Sequence, residues 1–399
     1  MNLLFISPYL PSETSGHAGA QLIFRNVMAL AKNHVVTIAS FIDKNETEMI
    51  HPLIDRGIHL HTIDYPRNPS SVSGKVASGI RNVSPVASYL KGEEPFFFAK
   101  YNKKKMAELI KNLITQNSFD MVQVEYNVMH HYSNLFQNIP SVIVFHDVST
   151  KMYESGQASG EKSNVRSFKL AQNVEADIAN KFDAVVTLTE ADKTYLDQLG
   201  CEKNIYVIPP QIKLPTSIEL KKDAGSICFL GSFNREPNIK AVEVLIDQIY
   251  PNLNSDIILN IAGKGLPKSL QSKIDQLDRI QYLEFVEDID AFLSSQLLMV
   301  APIEIGAGLK MKIPHALSCG TAVLTTDVGA EGIPVSPSEG MFVSNIEYMP
   351  EQINELIIEM GNDYLSLLAL KGQIAVKLLF NESVIMSKFD ELYRSLVLG

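Results

Sequence analysis

"LLMVAPIEIGAGLKMKIPHALSCGTAVLTTD", residues 297–327, reads as one strand, one turn, one helix and a second strand. The runs 297–303 and 321–327 are apolar almost without interruption, as expected of strands covered on both faces. Gly306 and Gly308 end the first run. Pro314 suits the first turn of the helix that follows. Two such strands joined through a single helix must lie parallel, because only a crossover connection returns the chain to the same edge. The turn between them carries Lys310 and Lys312. Backbone N–H groups at a glycine turn opening a helix, with a lysine beside them, can cradle a diphosphate without a metal; a tight turn with solvated lysines is the plainer reading.

The same alternation extends in both directions. "SICFLGS" (226–232), "SDIILNIAG" (255–263) and "IQYLEFV" (280–286) precede the opening stretch as strands. An earlier series comprises 2–7, 34–41, 57–63, 119–125, 140–147, 182–189 and 204–210, with helical patterns such as "AQLIFRNVMALAKN" (20–33) between them. The segment 209–226 has three prolines and no period, so it marks a linker. The fold class expected is α/β with two Rossmann-like domains facing a cleft: 1–210, 211–375, and a closing helix over 376–399.

A chain of 399 residues is too long for one core, and 46% apolar with 20% charged residues is ordinary for a globular protein. A net charge of −10 argues against nucleic acid as a partner. Cys201, Cys228 and Cys319 lack pairing or metal spacing, which suits a reducing compartment. "MNLLFISPYLP" reads as a first strand and not a signal peptide, and no window approaches a membrane span. The expected location is the cytoplasm, at the inner face of the membrane if the acceptor is lipid-linked.

Several local patterns sit at strand ends, where a parallel sheet binds ligands. Gly16 and Gly19 bracket the first strand–helix turn, which serves either as a ligand loop or as a plain turn. His146 and Asp147 end the strand 140–147. There His146 can hydrogen-bond a sugar hydroxyl or polarise a leaving group, and the dull reading is a surface histidine beside a capping Asp. Thr189-x-x-Asp192 reads as a helix cap. "EDID" (287–290) has DxD spacing but reads better as an acidic helix start than as a metal site.

Together these segments resemble the GT-B-fold glycosyltransferases, the retaining family 4 type. The resemblance runs through "FISPYLPSETSGHAGA", "VFHD", "FDAVVTLTEAD", "CFLGSFNREPNIKAV", "APIEIGAGLKMKIPHALSCGTAVLTTDVGAEGI" and "LLFNESVIMSKFDELYRSLV". It implies a hexosyl-type transferase that takes a sugar from a nucleoside-diphosphate donor, with retention and without metal or cofactor. The acceptor would be a glycan, a lipid-linked sugar or a small molecule, and polysaccharide synthesis a natural setting. His146, Lys310 and Arg235 would act in catalysis. Gly16, Gly19, Gly231, Glu304, Gly306, Ala307, Gly308, Leu309, Lys312 and His315 would bind the donor. Three positions depart from the family pattern. Ser232 stands where an Arg usually follows the glycine, with Arg235 three residues on. Ala307 takes the place of the first acid of an E-x7-E pair, with Glu304 out of register. His315 takes the place of the second. His315 therefore has four readings: altered donor selectivity, weakened donor binding, lost activity, or a satisfied core histidine. The other classes in play are a non-catalytic GT-B-shaped binding or scaffold protein and a sugar-nucleotide epimerase. Acceptor specificity is expected in 66–106; the aromatics and lysines of 95–106 read as an ordinary solvated helix face, with a peripheral membrane contact as the alternative.

Overall fold

A computed structural model describes residues 1–67, 72–158, 164–212, 214–215, 221–306 and 308–398. The chain divides into two compact units, Met1–Gln211 with Ile385–Gly399, and Ile212–Val384.

The first unit holds seven parallel strands: β1 (Asn2–Ser7), β2 (Val35–Ile42), β3 (His59–Asp64), β4 (Met121–Glu125), β5 (Ser141–Phe145), β6 (Ala184–Thr187) and β7 (Asn204–Val207). Their order is β3-β2-β1-β4-β5-β6-β7. The pleat explains why these strands read as unbroken apolar runs. Leu3 and Phe5 pack into one layer with Val36 and Ile38, whereas Leu4 and Ile6 pack into the other with Val122, Val124 and Phe145. Each fully buried Leu, Ile or Phe contributes about 1.5–3 kcal/mol, so both faces help set the register Phe5↔Ile38 and Phe5↔Gln123.

The second unit holds β8 (Ser226–Leu230), β9 (Ile258–Ala262), β10 (Ile280–Leu283), β11 (Leu298–Ala301), β12 (Ala322–Thr325) and β13 (Met341–Val343). Their order is β10-β9-β8-β11-β12-β13, again all parallel. In each sheet the winding reverses once, between β1 and β4 and between β8 and β11. Helices leave opposite faces at those points, so a crevice opens outside the strand carboxyl ends.

The structure differs from the sequence reading in particulars. β13 was not expected: three residues within the Pro-, Ser- and Gly-rich stretch 334–345 give no period to read. The closing helix expected from 376 starts at Glu382. Val376 and Phe380 belong to the preceding helix, Asn362–Phe380, and are buried in the core of the second unit. Asn381 breaks the two helices and its Oδ1 accepts from the Val384 amide at 3.0 Å, a side-chain cap. Helix Glu382–Leu398 then packs Ile385, Phe389, Leu392 and Tyr393 into the Leu3/Phe5 layer of the first unit.

Candidate functional site

In the first unit the reversal point lies where β1 leads into helix Ala18–Leu30 and β4 ends at Glu125. Tyr126, the next residue, has φ +69, the one positive φ outside glycine among the described residues. That conformation is costly for a bulky side chain and needs surrounding contacts to hold it. The Tyr126 ring stacks on His146 at 3.9 Å, nearly coplanar. Its phenol lies against Gly19, where a Cβ would sit 1.6 Å from the oxygen. Gly19 is thus a glycine for close approach, whereas Gly16 faces open space.

His146 is buried, and its Nε2 lies 2.7 Å from Glu125 Oε2. A neutral His146 therefore carries its proton on Nε2 and offers Nδ1 as an acceptor. Glu125 is held in turn by Gln123, whose amide donates to Oε1 at 2.6 Å, and Gln123 accepts from the Tyr393 hydroxyl of the last helix. The structure thus brings His146 and Gly19 together through Tyr126. Asp147 is exposed. Thr189 caps helix Glu190–Gln198 by accepting from the Asp192 amide.

In the second unit the reversal point is built from turns. After β8 come Gly231, Ser232 and exposed Arg235, which stands at the N-cap of helix Glu236–Val244. After β11 come Gly306 and Gly308, both at positive φ, and then helix Lys312–Ser318. Lys312 reaches across: its Nζ donates to Asn238 Oδ1 at 2.6 Å and lies 4.4 Å from the centre of the Phe229 ring. Burial, and then the charge of Arg235, bring its ammonium down to about 7. Gly231 keeps the space open, since a Cβ there would lie 3.2 Å from that ammonium. Gly263, φ +135, brings the β9 turn so close that a Cβ would meet the Gly231 carbonyl oxygen at 1.8 Å.

The remaining expected residues fall in distinct places. Lys310 Nζ donates to Gly308 O at 2.6 Å, so it also braces its own turn. Glu331 Oε1 accepts from the Gly308 amide at 3.1 Å and holds the same turn from the far side. Leu309 packs against the core of this unit, and Ala307 lies outside the described residues. Glu304 is exposed and lines a cleft of about 460 Å³ with Thr326, Asp327, Asn345 and Glu347. His315 is engaged by Asp290, Nε2 to Oδ1 2.7 Å, and is 29% exposed in its side chain, so it is paired without being a core residue. Asp288 of the DxD pattern caps helix Ile289–Ser295 instead of sharing a ligand with Asp290.

Among the described residues two donor clusters have metal-ligand spacing: Asp290, His315 and Cys319, and Glu94, His130 and His131. In the second, the Lys181 ammonium lies 3.1 Å from His130 Nδ1, and burial pushes the two imidazoles down to about 3 and about 4.

Sequence reasoning missed Glu125, Tyr126, Asn238 and Glu331. Polar Gln123 and Glu125, two residues apart in the buried strand "MVQVE", were a readable signal. Phe98 and Tyr101, read from sequence as part of a solvated helix face or a membrane contact, are instead buried beneath β2 and β3. Among the described residues no helix is long and apolar enough to cross a membrane.

Two doubly wound parallel sheets, each with one reversal point at its strand carboxyl ends, the second furnished there with glycine turns and cations, define the class as a two-unit α/β protein. Residues 47–214 match the model for Glycosyltransferase Family 4, and residues 224–360 match that for Glycosyl transferases group 1. The chain belongs to the glycosyl transferases of group 1 and family 4, a family of transferase enzymes, and carries the GT-B fold. It is similar to Anabaena HepE, solved in complex with UDP and glucose, at 15% identity and TM-score 0.67 over 99% of this chain and 100% of that one. It is likewise similar to sucrose-phosphate synthase from Thermosynechococcus elongatus, at 15% identity and TM-score 0.72 over 99% of both chains. A curated relative from Klebsiella pneumoniae, an uncharacterized 44.6 kDa protein in the cps region, is 24% identical over 134 residues. That match spans 31% of this chain and 34% of the relative.

Proposed function

We propose that the protein transfers a glycosyl group from a nucleoside-diphosphate sugar to an acceptor hydroxyl, with retention of configuration and without a metal. The observation that carries this reading is the meeting of Arg235, Lys312 and the Gly231 turn at the reversal point of the second sheet. Two cations and a helix start stabilise the charge that develops on a departing diphosphate. Lys310 and Glu331 fix the adjacent glycine turn, Glu331 by accepting from the Gly308 amide and Lys310 by donating to the Gly308 carbonyl. In this reading His146, oriented by Glu125, accepts a hydrogen bond from a hydroxyl of the sugar, and Gly16 and Gly19 leave room for the acceptor. Retention follows if the acceptor attacks from the side of the leaving diphosphate, which takes its proton. UDP in the HepE complex supports a uridine donor as the first to try, and the cps-region relative supports polysaccharide synthesis as the setting.

The test is calorimetric titration with UDP, GDP, ADP and CMP, followed by donor turnover. Binding of one diphosphate that is lost in Lys312→Met supports the reading. A folded protein that binds none of the four would overturn it and leave a binding or scaffold role.

A further inference from the structure

Outside the residues assigned to donor binding, four cations gather over the carboxyl ends of β1, β2 and β3. Arg67 follows β3, and its guanidinium lies 5.2 Å from the centre of the Tyr9 ring. Arg81, from helix Val72–Lys91, lies 4.3 Å from the Tyr65 ring. Lys100 Nζ sits among Tyr101, Tyr65 and Phe97 at 5.5–5.9 Å from their centres. Lys103 Nζ donates to the Arg81 carbonyl at 3.3 Å.

Glu46 and Asp43 both serve Arg67, the first through its guanidinium and the second through its backbone amide. Among the described residues no carboxylate oxygen lies within 4.0 Å of the Lys100 or Lys103 ammonium. Burial pushes both ammoniums down, and the neighbouring charges that add to the effect are cations: Arg81 and Arg67 on Lys100, Arg81 and Lys100 on Lys103. Aromatic faces attract such cations but leave their charge in place. Like charges held together in a half-buried setting are stabilised by an anion among them. The cluster adjoins the sugar-transfer residues through Tyr9, which packs edge-on against Tyr126 at 5.4 Å.

We infer that Arg67, Arg81, Lys100 and Lys103 form an anion subsite of the first unit that takes a phosphate or diphosphate group carried by the acceptor. Several converging cations suit a multiply charged group better than a carboxylate, which one arginine can satisfy. This rests on the proposed transferase reading and names the chemistry of its acceptor. The phosphate can belong to a soluble sugar phosphate or to a polyprenyl lipid.

The test titrates full-length protein with inorganic pyrophosphate in a Lys312→Met background, which weakens the anion turn of the second unit. Adding Lys100→Gln and Lys103→Gln should weaken pyrophosphate binding by roughly tenfold per lysine, the effect of losing one charge-assisted hydrogen bond. Lys103→Met, which keeps the alkyl stem, should show its share with the melting temperature unchanged. UDP affinity, measured separately with Lys312 intact, should not respond to Lys100→Gln or Lys103→Gln. Pyrophosphate affinity that ignores both lysine changes while UDP still binds would overturn the subsite and leave the transferase reading standing. A parent protein that binds none of UDP, GDP, ADP and CMP would strike the transferase reading and the acceptor assignment with it, while the anion subsite would still stand on its pyrophosphate result. Competition by glucose 1-phosphate, or by phosphatidylcholine vesicles carrying undecaprenyl diphosphate, supports the acceptor assignment and tells the two sources apart. Competition by neither overturns that assignment.

Discussion

The two sheets share a winding pattern and a reversal point, yet they furnish that point differently. The first fills it with side chains: Tyr9 stacks on His17 and Tyr126 on His146, the two pairs meet edge-on, and Glu125 is buried behind them. The second builds it from backbone: Gly231 makes room for Lys312, Gly263 closes on the Gly231 carbonyl, and Gly306 and Gly308 turn at positive φ. Rings and a buried hydrogen-bond chain present a few fixed polar atoms, which suits telling hydroxyls apart. Glycine turns and cations present diffuse positive charge, which suits a diphosphate. In the proposed reading one topology serves two kinds of recognition, and the kind is set by a handful of residues after each strand.

This contrast can be broken by substitution. The largest effect is expected from Gly263→Ala, where a Cβ at 1.8 Å from the Gly231 carbonyl and a φ of +135 both oppose the change. A loss of about 3 kcal/mol or more in denaturant stability should follow. A stable Gly263→Ala protein would show that the two turns are less tightly apposed. Next, Lys312→Met should weaken binding of the nucleoside diphosphate by about ten- to a hundredfold, from the loss of a charge-assisted contact of about 1.5–3 kcal/mol. His146→Ala should leave that affinity alone and lower turnover by about tenfold or more, because the proposed reading gives it a contact to the sugar and none to the diphosphate. If His146→Ala instead weakened binding of bare UDP, the division of labour between the two sheets would be lost.

A smaller effect is tied to pH. Lys312, brought down to about 7, is charged below that pH and neutral above it. Affinity for the diphosphate should therefore fall a few-fold between about pH 6 and about pH 8, and Lys312→Met should flatten the change. The smallest is Thr189→Ala, which removes a helix cap in the first unit and should cost about 1 kcal/mol in stability with turnover unchanged.

Most of the fold was legible because parallel strands covered on both faces leave unbroken apolar runs, as in "NLLFIS" and "PSVIVFHD". Strand ends were blurred by one to three residues where apolar side chains carry on past the last ladder bond, as at Ile208, which is buried beyond Val207. Helix 376–399 was misplaced because its period runs through Asn381 without a change of composition. At the candidate site, glycines and lysines stood out because they interrupt apolar sequence. Glu125 and Tyr126 did not, because their roles arise from tertiary contacts: a carboxylate against the histidine of the next strand, and a backbone twist that sequence does not announce. Phe98 and Tyr101 looked like surface aromatics because a short segment between Pro95 and Lys103 carries no periodicity that separates core from surface.

The hydrogen-bond chain from His146 through Glu125 and Gln123 ends at Tyr393, and His34 meets Asp390 of the same helix at 2.9 Å. That helix is translated only after the whole of the second unit. While a ribosome is still making residues 212–384, the first sheet already has all seven of its strands. It lacks the phenol that Gln123 accepts from and the Ile385, Phe389 and Leu392 side chains that cover Leu3 and Phe5. The nascent first unit thus waits, with one apolar face incompletely covered and its buried Glu125–His146 pair incompletely braced, until the last helix emerges. Completion of the His146 side is in this way timed to follow synthesis of the whole second unit.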